Sequence, residues 1–359
     1  MRAERLISNQ PAVVTARAVE NDANSEKGSA MRTNDAIHLG LMLLALAAAY
    51  LVPFELLLLA YVVLGPAHYF TEISWLHDRS YFLPHRGIGV ALVLLAIVAA
   101  WIDNASWFGF AIWGALIVCA MLAATTSAAE SMLLFMVALA LSAVMYSSGS
   151  SLAVIGILIP TLIHVSLFTL VFMTLGAWRA RSRVQALLVV TYLVAVAAIL
   201  IAPPTAEIRI ASFAKAGQEY FGNVGPALSR LFGIPGVRLD TRLTSLLAFV
   251  YTYHYLNWFI KADIIRWADI PRARLALVVA ASAASTALYF YDYAFGFTFL
   301  LALSLIHILL EFPLDALALR QLGAAAGTGL RGMVARPAVT AAPRSRLANS
   351  KASRRTKRP

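Results

Sequence analysis

Residues 54–78 read FELLLLAYVVLGPAHYFTEISWLHD. Between Leu56 and Ala67 there is no charged side chain, and the apolar character resumes as far as Leu76. A helix crossing a hydrocarbon core of ~30 Å needs roughly 20 such residues at ~1.5 Å each. Inside the run sit His68 and Glu72, four residues apart and therefore on one face of a helix. Ionisable groups at that depth are costly unless they face a protein interior and pair there. The stretch thus predicts a membrane helix with a functional polar face.

The same pattern recurs along the chain. Of the 359 residues, 60% are hydrophobic and 13% charged, against about 25% charged in a soluble domain. Mean hydropathy is +0.75. Ten spans are read near 36–52, 54–75, 88–102, 107–125, 131–147, 152–176, 184–202, 243–262, 274–290 and 295–318. Pro53 parts the first two into a hairpin, and Ser147-Ser148-Gly149-Ser150 turns the fifth into the sixth. The expected fold is an all-α polytopic transmembrane bundle over 36–320. Residues 1–35 read as a disordered tail without the apolar core of a signal peptide, and 321–359 as a basic disordered tail. The segment 203–242 reads as short interfacial helices.

With ten spans both termini share one side. That side collects 24 of the 29 Lys and Arg, and the other side holds five, all between Arg209 and Arg242. Positive charge stays inside, so both tails are expected in the cytoplasm, with the chain in a bacterial inner membrane. The pI of 10.0 suggests nucleic acid, but the basic residues flank spans and serve topology and lipid headgroups instead. No nucleic-acid partner is expected. The single cysteine, Cys119, excludes an intrachain disulfide or a cysteine-built metal site.

Chemistry is left to the histidines. His38 opens a span and His85 lies in a loop. His68, His164, His254 and His307 are on spans two, six, eight and ten, which all run outside to inside. They lie ~11 to 15 residues from the outer ends, a spread of ~6 Å at the helical rise. Glu72 and Glu311 fall one turn closer to the cytoplasm, each four residues after its histidine. Imidazole and carboxylate without thiolate suit a mono- or dinuclear iron site, with zinc or copper as other options. The expected ligands are His68, His164, His254, His307, Glu72 and Glu311, with His77 beside Asp78 as an outlying member at the cytoplasmic boundary. Glu72, Glu311, Tyr251 and Tyr253 are the candidate catalytic groups. Lys261, Arg79 and Asn257 are candidates for holding a substrate or lipid headgroup.

The pattern Gly-x-x-His-x-x-x-acid at Gly65, His68 and Glu72 resembles, in general character, the bacterial polytopic β-carotene dioxygenases, which also use scattered intramembrane histidines. The E-x-x-H pairs of di-iron bundles and the histidine boxes of membrane desaturases are absent. The sequence therefore supports a membrane iron oxygenase, hydroxylase or desaturase acting on a lipid-soluble molecule, with an electron donor at the cytoplasmic face. A proton- or metal-coupled transporter and a haem b redox protein are the competing expectations.

Overall fold

The computed structural model describes residues 34–101, 105–124, 127–147, 161–204, 241–260 and 270–334. Among them the chain forms ten helices: α1 (Asn34–Leu51), α2 (Pro53–His77), α3 (Arg86–Trp101), α4 (Ala105–Ala124), α5 (Ala128–Ser147), α6 (Ile163–Ala180), α7 (Arg183–Ile201), α8 (Thr241–Ile260), α9 (Arg272–Tyr291) and α10 (Tyr293–Val334). Each overlaps one of the ten stretches read from the sequence. Most of the tails and of 203–242, the end of the Ser147–Ser150 turn, and Lys261 lie outside the described residues.

Six helices, α1, α2, α6, α7, α9 and α10, are long and apolar enough to cross a membrane. The apolar parts of α3, α4 and α5 are shorter. The described outer surface carries Leu44, Val90, Leu94, Met132, Leu133, Val190, Val194 and Leu277, each more than half exposed. Apolar faces on so many helices suit lipid rather than water. α8 is the reverse case. Thirteen of its twenty residues are buried, including Thr244, Thr252, His254 and Asn257. A helix wrapped by other helices meets no lipid and can be polar, which explains why α8 is not among the six.

α2, α6, α8 and α10 form an inner square. α2 packs on α8 and α10, and α6 packs on the same two neighbours. α1 and α7 cover the side of α2 and α8, with Met42, Ala45, Ala49, Tyr192, Ala195 and Ile199 buried there. α3 and α4 cover α10 through Leu92, Ala96, Ile112, Leu116, Leu305 and Leu309. α9 lies against α2 and α10, and α5 against α4.

The inner helices are irregular, and the irregularities have identifiable causes. α2 contains a π-turn at Ala60–Leu64 immediately before Gly65-Pro66. Pro66 has no N–H to give the carbonyl four residues back, at Val62. That carbonyl instead accepts the Thr286 hydroxyl of α9 at 2.8 Å. Pro313 does the same to Leu309 in α10, and the Cys119 thiol of α4 lies 3.8 Å from that carbonyl. Neighbouring side chains replace the missing backbone partner, as the membrane interior requires. Cys119 is thereby a structural donor. α6 opens with a second π-turn, Ile163–Phe168.

One helix departs from the sequence reading, and one turn has no mark in the sequence. α10 continues to Val334, past the expected end of the membrane domain at 320, since ALALRQLGAAAG is rich in strong helix formers. After α2 the chain turns through Ser80, Tyr81 and Phe82, all at positive φ (52°, 57° and 55°). Left-handed geometry costs L-residues roughly 1–2 kcal/mol each. The turn is held by Arg86 Nε donating to Ser80 Oγ at 3.2 Å and by Tyr81 packed over Gly89.

Candidate metal centre

Each inner helix contributes one histidine to the middle of the square: His68 from α2, His254 from α8, His164 from α6 and His307 from α10. Going round, the ring centroids are separated by 4.8 Å (His68–His254), 5.0 Å (His254–His164), 4.8 Å (His164–His307) and 4.8 Å (His307–His68). The diagonal His254–His307 is 6.5 Å. The four are at most 8% exposed.

The Nε2 atoms turn inward. His68 Nε2 lies 3.1 Å from His307 Nε2 and 3.2 Å from His254 Nε2. The i,i+4 spacing on α2 brings Glu72 Oε2 to 3.0 Å from His68 Nε2 and 3.2 Å from His307 Nε2. The same spacing on α10 brings Glu311 Oε2 to 3.2 Å from His307 Nε2, and across the square it is 3.3 Å from His164 Nε2. Glu72 is 1% and Glu311 4% exposed. Two groups of buried donors are compact enough for an ion: His68, His254 and His307, and His164, His307 and Glu311. Donor atoms bound at ~2.0–2.2 Å to one ion lie roughly 3–3.5 Å apart, and the nearest donor pairs here are 3.0–3.3 Å apart. His164 Nε2 and Glu311 Oε2 meet only inside the site, at 3.3 Å from each other, with Glu311 Oε2 also 3.2 Å from His307 Nε2. Donors crowded together in this way suit a shared cation.

The far nitrogens explain why the rings point this way. His254 Nδ1 is 2.8 Å from Thr169 Oγ1 of α6. With Nδ1–H donating to that hydroxyl, Nε2 presents its lone pair to the centre. His164 Nδ1 is 3.4 Å from Asp315 Oδ2 of α10. Loss of a partner behind a ligating imidazole typically costs ~10–100-fold in metal affinity. Thr169→Val, which keeps the volume, is therefore expected to weaken binding by about that factor in a chelator competition, and the loss of a buried hydrogen bond should cost ~1–3 kcal/mol of stability.

Not every expected residue reaches the centre. His77 is exposed, and its Nδ1 is 2.9 Å from the Tyr81 hydroxyl in the left-handed turn. It lies at the helix end, away from the imidazole square. Tyr253 stacks on Phe249 and packs against Tyr192 of α7. It precedes His254 and so faces another side of α8. Tyr251 packs on Tyr255, a turn from the histidines. The tyrosines that do reach the site are Tyr69, 4.8 Å by ring centroid from His307, and Tyr255, 4.9 Å from His68. Their hydroxyls are 2.7 Å apart. Asn257 is buried one turn after His254. Arg79 is exposed, with its guanidinium 3.8 Å from the Trp75 ring centroid and bonded to the Trp75 carbonyl. His85 is exposed before α3.

Three carboxylates, Glu72, Glu311 and Asp315, are buried together, and no Lys or Arg is among the buried described residues. Their charge must be offset by a cation or by protons. The donor set is chemically suited to a metal ion, and the grouping expected for His68, His164, His254, His307, Glu72 and Glu311 is the one the fold assembles. Compared with protein-family models, characterised proteins and solved structures, the chain finds no match.

Proposed function

We propose that this chain is an integral-membrane metalloenzyme, a non-haem iron oxygenase, hydroxylase or desaturase that acts on a lipid-soluble substrate. The observation that carries the reading is the square of four buried imidazoles edged by Glu72 and Glu311 within a bundle whose outer faces are apolar. All ten helices are taken to cross the cytoplasmic membrane. The excess of Lys and Arg at the tails and alternate loops supports cytoplasmic termini.

Iron held there would supply the redox chemistry that dioxygen requires. The chain's own contribution is to bind and to exclude water. His68, His164, His254 and His307 present nitrogen donors, and Glu72 and Glu311 add charge and oxygen donors. Tyr69 and Tyr255 lie close enough to offer hydroxyl protons at the rim of the site. Trp258 is edge-on to His68 at 5.6 Å and Trp75 edge-on to Trp258 at 5.7 Å. This line of aromatic contacts leads to exposed Arg79, where the proposed electron donor would act. A haem is less well supported. A macrocycle would need an open plane between two of the rings, and neighbouring rings close the square at 4.8–5.0 Å between centroids. The transporter reading draws on the broken helices α2 and α10.

Oxygen uptake tests the proposal. Iron-loaded protein in vesicles is expected to consume oxygen when given an apolar lipid extract and a one-electron donor, while zinc-loaded protein does not. Equal rates with both metals would overturn it.

A further inference from the structure

We infer that Asp315 is a positioning residue for the metal centre, holding His164 from behind and making it a stronger imidazole donor than His254. The inference rests on the metal reading and extends it to a residue outside the ligand set.

His307, Glu311 and Asp315 follow one another at four-residue intervals along α10. The first two reach the centre directly, and the third reaches it through His164. Asp315 is 0% exposed. Its Oδ2 is 3.4 Å from His164 Nδ1, and its Oδ1 has no hydrogen-bond partner among the described residues. A carboxylate so placed is expensive in a bilayer interior unless it serves a cation or takes up a proton. No buried Lys or Arg offers a cationic partner among the described residues. An ion bound at His164 Nε2 would, because the imidazole transmits its charge to the Nδ1–H that Asp315 accepts. The asymmetry with His254 matters here. That ring is held by the neutral hydroxyl of Thr169, whereas His164 has a carboxylate behind it, and a carboxylate makes the ring more basic. α6 supports the arrangement locally, since His164 lies within the π-turn Ile163–Phe168.

The test uses the full-length protein in detergent loaded with Co(II), whose visible bands report the ligand field, and compares Asp315→Asn and Asp315→Ala with wild type. Asparagine can still accept from Nδ1–H but carries no charge. It should bind cobalt at the wild-type stoichiometry, with affinity lower by about 10-fold and shifted bands. Alanine loses orientation as well and should fall by ~100-fold. Wild-type affinity and spectrum in both variants would overturn the inference, even if both were less stable to heat. Should Asp315→Ala fail to fold, the nearly isosteric Asp315→Asn decides alone. If wild-type protein takes up no cobalt, the metal reading itself falls, which is a separate outcome.

Discussion

His307→Ala is expected to strip the centre of metal. His307 belongs to both compact donor groups, and its Nε2 is 3.1 Å from His68 Nε2 and 3.2 Å from the nearer oxygens of both Glu72 and Glu311. Removing it leaves neither group with three donors. It also leaves two buried carboxylates without the ring between them, so repulsion adds to the loss of a ligand. Affinity should fall by more than the ~100-fold upper range for a residue that merely supports a ligand. Elemental analysis after gel filtration measures this. His77→Ala is the control. That side chain is exposed and bonded to Tyr81, so metal content should not change.

The second large effect is structural. α9 and α10 meet in a turn at Asp292, whose Oδ1 accepts from Phe295 N at 3.0 Å. Gly296 follows in the first turn of α10. A Cβ there would lie 2.4 Å from the Tyr289 Cα and 2.8 Å from its backbone N. Backbone atoms cannot rotate aside as a side chain can, so the two helices would have to part. Gly296→Ala is expected to cost ~3 kcal/mol or more, the upper end of overpacking penalties. It should lower the thermal midpoint in detergent and the yield of folded protein. Gly323→Ala, where nothing lies within 4 Å, should be neutral or slightly stabilising, since alanine favours helix over glycine by up to ~1 kcal/mol.

The centre was legible in the sequence because its signal is local. His68–Glu72 and His307–Glu311 are both i,i+4, and the charge asymmetry of the loops leads to the expectation of a common direction for four helices. These two readings alone put six donors in one layer. The choice among tyrosines was not legible. α8 carries Tyr at 251, 253 and 255 around His254, and which of them faces the site depends on where α2 and α7 pack. Turn irregularities add to the difficulty. A π-turn inserts a residue and rotates everything after it by about 100°, and one lies just before His68 and another contains His164. Thr169 has no sequence mark of its role, because its partner His254 is 85 residues away. His77 looked like an outlying ligand by proximity to His68 in sequence. The left-handed turn at Ser80–Phe82, which no glycine signals, gives it Tyr81 as a partner instead.

The central claim is that these buried imidazoles and carboxylates hold a metal ion rather than only one another. Elemental analysis of wild-type protein tests it most directly, on protein purified in detergent and washed with a weak chelator. At least one transition-metal ion should be retained per chain, and His164→Ala and His254→Ala should each reduce it sharply. Protein free of metal after purification, and still free after incubation with iron, zinc or copper, would contradict the account.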